Sequence, residues 1–395
     1  SATFTFGTST MRFNGTVAQT ITSGGTAVTK RFYNIEINST NTVSLAVGNN
    51  LQQDVGGALT MTGGTFNLNG NTWTAGANPV LNSGTINLSG GTISAAGYDF
   101  NFNGSGTVNV NQNNGGGTIT CQDFILTKGA VGTAVASNVT LTCRDLTVNG
   151  ATGNYYAHGS TITINRDFTQ TNGSFDAGSS SITVSGNVAI TGGTFNRVTS
   201  TVTMTGITKT INSNQNLNNL IINGTISIDT NTLNINGNLT IENGRSLTTL
   251  NNSLTVSGNI VLNGNGELNA SGQLAGKSVS ITGSFTDDGA NTGQYSASPQ
   301  NTSINGNLDV TNFAHNNGTL TFGGGNAQGF YPRGSTFCNV TVAKTANQAT
   351  IQSNYLTAVG NISITSGTLN TGLVDIYVHG NFNNSATFTA GARTL

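Results

Sequence analysis

The sequence predicts an all-β solenoid, a stack of short-stranded coils each about 20–25 residues long. Three observations predict it. A short string recurs at a fixed period, apolar and polar residues alternate within that string, and the composition is far too poor in charge for an ordinary globular domain.

The recurring string reads apolar, polar, apolar, polar, Gly-Asn, apolar. It appears as "ITVSGNV" ending at Val188, "LNINGNL" at Leu239, "LTVSGNI" at Ile260 and "TSINGNL" at Leu308. Its glycines, Gly186, Gly237, Gly258, Gly283, Gly306, Gly360 and Gly380, stand 51, 21, 25, 23, 54 and 20 residues apart, so the short intervals are single coils. Upstream the marker is rewritten as "TCQDF", "TCRDL" and "INRDF", with Gln122, Arg144 and Arg166 spaced by 22 residues and Arg166 20 residues before Gly186. Alternation broken by a Gly-Asn or Asn-rich turn describes a half-buried strand entering a corner, and no stretch has helical periodicity. A second string, "GGTF", "SGTI" or "SGTL", marks another strand after a tight turn, so each coil carries two or three strands. Parallel stacking would pair each strand with those above and below at about 4.8 Å, over roughly eighteen coils.

Composition narrows the function. Charged residues make up 7% of the chain, against about a quarter in typical soluble proteins. The 18 Phe and the regular Ile, Val and Leu still supply a thin, long core, which disordered chains lack. Thirteen Lys+Arg against fourteen Asp+Glu leave no basic stripe for a phosphate backbone, so nucleic acid is not an expected partner. No apolar run approaches the roughly 18 residues of a membrane-spanning helix, so no membrane span is expected.

The chain reads as one continuous solenoid over 1–395, with longer double-coil units near 1–50, 187–237 and 307–360 and a new one starting at 385. Those units share "MRFNGTVAQTI", "VTMTGITKTI" and "LTFGGGNAQGF", followed by "RFYNIEI", "NLNNLII" and "TFCNVTV", in which Asn34, Asn219 and Asn339 close the shared pattern. They look like two coils lacking the Gly-Asn corner. "SATFTAGARTL" from Ser385 matches "SATFTFGTSTM" from Ser1 at seven of eleven positions, so the repeat is entered and left at the same phase. The expectation is assembly through open terminal coils carrying Ser1, Ala2, Thr3, Phe4, Phe6, Phe382, Ala386, Phe388 and Leu395. The partner is then a second copy, head to tail, or flanking repeats of the same chain.

Other residues have two readings each. Asp123, Asp145 and Asp167 recur at 22-residue spacing. They would stack as carboxylates for Ca²⁺, or form a structural ladder in the slot that Asn187, Asn238, Asn259 and Asn307 occupy elsewhere. The ladder is the expectation, with no metal or other cofactor. Cys121 and Cys143, one coil apart, suit either a disulfide or a buried pair of thiols. "GNYYAHGS" makes Tyr155 and Tyr156 the best candidates for an exposed binding loop, with surface glycans as ligand, or else aromatics that shield edges. Outward pairs Thr118/Thr120, Thr140/Thr142, Thr161/Thr163, Ser181/Thr183 and Thr201/Thr203 form the kind of flat Thr-x-Thr array that β-solenoid ice-binding proteins use, although β-propensity alone also favours Thr there. Asp287 and Asp288 are the only adjacent carboxylates, and His158, His315 and His379 are far apart, so no catalytic residue is expected and the chain is read as a non-enzyme.

Strings such as "MRFNGTVAQTI", "LTVSGNI" and "SGTL" make the whole chain resemble the repetitive β-helical arrays of large secreted or surface proteins of Bacteroidota, and more loosely filamentous-haemagglutinin-type adhesins. The resemblance implies a right-handed parallel β-helix at the cell surface or outside the cell. The expected function is an extracellular structural protein, a filament subunit or fibrous adhesin segment. The alternatives are a glycan- or ice-binding solenoid module and, last, a polysaccharide-degrading enzyme.

Overall fold

The computed structural model describes residues 7–27, 30–102, 106–110, 116–127, 133–136, 138–151, 153–289 and 292–391. They contain no α-helix, and parallel strands stack into a β-solenoid of about 17 turns. The chain divides into two compact units, Ser1–Thr201 and Val202–Leu395.

In the first unit a regular coil has three strands. Thr140–Cys143, Asp145–Val148 and Asn154–Tyr156 make one coil, and Thr161–Ile164, Phe168–Gln170 and Ser174–Asp176 the next. Each pairs in parallel with its counterpart, as in Leu141↔Ile162, Leu146↔Phe168 and Tyr155↔Phe175. Alternate side chains point inward, and each fully buried aliphatic or aromatic one contributes about 1.5–3 kcal/mol. Aromatic rings fill the axis: Phe124 stacks on Phe100 at 5.9 Å, touches Phe102 at 5.1 Å and meets the edge of Tyr155 at 5.6 Å. The corners before Thr161–Ile164 and Ser181–Val184 each carry a buried serine, Ser160 and Ser180. Ser160 Oγ accepts the Val139 N–H (3.2 Å), and Ser180 Oγ accepts the Ser160 N–H (3.1 Å).

The second unit repeats the plan, with Leu233–Ile235, Leu254–Val256, Ser278–Ile281, Asn301–Ile304 and Thr319–Phe322 stacked as one sheet. Two of the three longer repeats have a definite cause. Asn339–Ile351 is one 13-residue strand that pairs first with Thr319–Phe322 and then with Gln328–Phe330, spanning what are two strands in the coil before it. Asn34–Leu45 does the same over Thr10–Phe13 and Gln19–Ile21 in the first unit. Where the strand runs through, the Gly-Asn corner has no place.

At the bend of Asn339–Ile351 the Lys344 side chain turns inward. It is 1% exposed, and its Nζ donates to Gly323 O (2.8 Å), Asn326 O (2.5 Å) and Gln328 Oε1 (2.6 Å). Burial pulls its pKa below the usual lysine value, while three oxygen acceptors favour the charged form. Ser39, at the equivalent place in Asn34–Leu45, donates its hydroxyl to Gly15 O (2.8 Å). Both side chains close off carbonyls that the bent strand cannot reach.

Candidate functional site

The Gly-Asn corner is built from hydrogen bonds that run from one coil to the next. Asn238 Oδ1 accepts the Asn259 N–H (2.9 Å), Asn259 Oδ1 the Ser284 N–H (2.8 Å), Ser284 Oγ the Asn307 N–H (3.0 Å), and Asn307 Oδ1 the Gly329 N–H (2.7 Å). In the first unit Asp145 Oδ1 accepts the Asp167 N–H (3.0 Å) and Asp167 Oδ1 the Asn187 N–H (2.8 Å). A backbone that turns the corner loses its ladder carbonyl, and its N–H needs another acceptor. One oxygen on a short side chain supplies the missing acceptor, so Asn, Asp and Ser serve alike. The marker glycine follows from the same contact. A Cβ on Gly258 would lie within 3.0 Å of Gly237 O and Asn238 Oδ1, and one on Gly283 would collide with Gly258 O and Asn259 Oδ1.

Three carboxylates occupy this slot in the first unit. Asp123 and Asp145 are register partners, so their like charges would oppose stacking. Arginines resolve this. Arg144 Nε and Nη2 donate to the two oxygens of Asp123 (2.9 and 2.6 Å), Arg166 forks onto Asp145 in the same way with Nε at 2.8 Å from Oδ1, and Arg144 Nε also lies 3.4 Å from Asp145 Oδ2. Asp145 is 8% exposed. Its burial alone would raise its pKa, but the Arg166 fork, the Asp167 N–H and Arg144 together hold it below the usual carboxylate range. A depressed folded pKa gives stability that is present above the unfolded value, about 3.9, and lost as pH falls through the lower folded value. Thermal melting between pH 5 and 2 is therefore expected to show an acid-side loss in the native chain that Asp145→Asn flattens. Among the described residues no group of three or more His, Cys, Asp or Glu is placed to hold a metal ion.

Cys121 and Cys143 are free, buried thiols. They occupy inward positions opposite Ala95 and Ile164 in the ladders, and burial pushes the Cys143 thiol up to about 12. Of the two readings of this pair, the structure has the core thiols and not the disulfide.

Tyr155 corrects the loop expectation. It is 1% exposed, in register with Phe175 and 5.1 Å from its ring, because strand alternation turns it inward. Its hydroxyl has no hydrogen-bond partner, and burial drives its pKa up. Tyr156 points outward and packs its ring on His158 (5.3 Å), whose Nε2 is 3.4 Å from Asp176. Asp287 and Asp288 are occupied too: Asp287 Oδ2 accepts from Thr311 Oγ1 (2.7 Å), and Asp288 Oδ2 accepts the Gly264 N–H (3.0 Å).

Of the terminal residues, Ser1, Ala2, Thr3, Phe4, Phe6 and Leu395 lie outside the described residues. Phe382 is 40% exposed and meets Phe388 edge-on at 5.0 Å, while its ladder partner Ile362 is fully buried. Ala386 is exposed.

A feature without a sequence signature lies in the second unit. The sheet of Gln294–Ser296 and Asn312–Ala314 stops, and the next strand, Thr336–Phe337, pairs only onward with Leu356–Ala358. Ser335 Oγ fills the gap by accepting the Phe313 N–H (3.3 Å) and donating to Thr311 O (3.0 Å). The parting opens a cleft of about 500 Å³ lined by Gln294, Asn312, Arg333 and Thr336 among others. Arg333 is committed to Asp309 through two bonds (2.7 and 2.9 Å) and lies over Tyr331, 5.9 Å from the ring centre. The cleft offers amides and hydroxyls, with its one cation already paired.

No protein-family model, curated protein or solved structure matches the chain.

Proposed function

We propose that the chain is an extracellular structural protein, a fibre subunit or a segment of a fibrous adhesin, whose working part is the coil-to-coil stack itself. The corner ladder carries this reading. The same bond, a short side-chain oxygen receiving the N–H of the following coil, recurs with Asn, Asp or Ser, so coils add to one another without chemistry specific to any one of them. The register-paired carboxylates Asp123 and Asp145 are spent on arginines and a backbone amide. A surface with few charges and a resemblance to repetitive surface arrays support an extracellular setting.

Stacking is proposed to continue over Phe382 and Phe388, covered by a further coil of the same chain or of a second copy. Electron microscopy and light scattering of the purified 395-residue chain test the second arrangement. Particles that lengthen by whole subunits as concentration rises, and that stay single in Phe382→Lys/Phe388→Lys, are the expected result. Single particles at every concentration would remove self-assembly from this reading.

A further inference from the structure

The first unit carries a surface that the structural role does not require. Six strands, from Thr72–Thr74 through Thr92–Ala95, Thr118–Cys121, Thr140–Cys143 and Thr161–Ile164 to Ser181–Val184, pair in unbroken register with no bulge. Their outward side chains form two columns. The first is Thr72, Thr92, Thr118, Thr140, Thr161 and Ser181, and the second stands two residues further along each strand. Ten of these twelve positions are Thr and two are Ser. The inward residues between the columns, Trp73, Ile93, Ile119, Leu141, Ile162 and Ile182, are at most 1% exposed, so the sheet is held from beneath by a packed core.

Strand propensity does not account for the pattern. It would act on every sheet alike, yet the outward column on the adjoining sheet of the same coils reads Asn101, Ile125, Thr147, Thr169 and Ala189. Threonine is concentrated on one face. The twelve side chains of that face carry no charge to attract an ion. The face has no aromatic platform for a sugar ring, since Trp73 points inward. What it offers is an in-register lattice of hydroxyls and methyls repeating about every 4.8 Å between coils and about 6.7 Å along each strand.

We infer that this face binds ice. In a tetrahedral network of oxygens about 2.75 Å apart, second neighbours are about 4.5 Å apart and the perpendicular repeat, eight-thirds of a bond, is about 7.3 Å. Both lie within about a tenth of the protein's own repeats. Each threonine hydroxyl offers one donor and two acceptor sites. The methyl beside it limits where a bound water can sit, and β-branching stiffens the side chain, so waters on the face are held at near-ice spacing before they meet a crystal. Match in two dimensions, not the strength of any one bond, gives the face its preference for a solid.

The test uses the whole purified chain, with thermal hysteresis and partition into a growing ice hemisphere as readouts. Thr142→Tyr sets a ring in the middle of the lattice, and Thr169→Tyr places the same ring on the adjoining sheet; circular dichroism confirms that both variants remain folded. The native chain and Thr169→Tyr are expected to depress freezing and enter the ice, and Thr142→Tyr to lose most of both effects. Absence of hysteresis in the native chain overturns the inference, as does equal loss in the two variants. Capture of the native chain by crystalline chitin or cellulose without any effect on ice would also overturn it. None of these outcomes bears on coil stacking, which is read by particle length.

Discussion

Phe124→Ala is expected to destabilise the first unit by about 3–5 kcal/mol, the range for deleting a buried aromatic ring. Phe124 is fully buried and lies parallel to Phe100, with Phe102 and Tyr155 against its other sides. In a narrow core there is no second layer of side chains to move into the gap, so the cavity stays open. Because a solenoid coil interacts chiefly with its neighbours, the effect is local. Hydrogen exchange should quicken in the strands around Asp123–Leu126 while the second unit keeps its protection. Tyr155→Phe is the matching control. Its hydroxyl is buried without a partner, so removing it is expected to leave stability unchanged or raised by up to about 1 kcal/mol. If Phe124→Ala melts both units together, the nearest-neighbour picture fails.

The coil period was legible because its marker has a single physical cause. Glycine recurs where the acceptor of the preceding coil occupies the space of a Cβ, and Asn, Asp or Ser recurs where an N–H needs that acceptor. The absent corners in the longer repeats were also visible, but not the reason, which at Asn34–Leu45 and Asn339–Ile351 is one strand running across two, whereas the unit with Asn219 keeps separate strands, Asn219–Ile222 and Thr225–Ile228. Tyr155 was misplaced because glycines on both sides made "GNYYAHGS" look like a loop. The 20-residue steps from Tyr155 to Phe175 and Phe195 were the signal that it belongs to the core. The threonine face was seen only from Thr118 on. Thr92 to Thr118 is a 26-residue step that carries an insertion, and this hid the earlier coils. The cleft beside Arg333 had no local signature, because it arises where two neighbouring strands fail to pair, a property of register and not of composition.

Gly258→Ala is expected to cost about 3 kcal/mol or more, although it adds one methyl group at the surface of a solenoid. The backbone at Gly258 has an ordinary negative φ, so conformational freedom is not what alanine would lose. The new Cβ would instead meet Gly237 O and Asn238 Oδ1 inside 3.0 Å, and these are the groups that accept the Gly258 N–H (3.0 Å) and the Asn259 N–H (2.9 Å). Relief requires the coil to move away, which lengthens both bonds together. Since Gly283 is packed in the same way on Gly258, the displacement passes to the following corner. Urea titration should show a lower midpoint and a broader transition, as the coils on either side of residue 258 unfold less cooperatively. Gly97→Ala separates this from a general cost of removing glycine. Gly97 is exposed, with ordinary φ and open space where a Cβ would go, so its substitution should change stability by no more than about 0.5 kcal/mol. Equal effects at Gly97 and Gly258 would show that the marker glycine is not set by the coil beneath it. A large effect at Gly258 alone ties the most visible repeat in the sequence to one atomic contact.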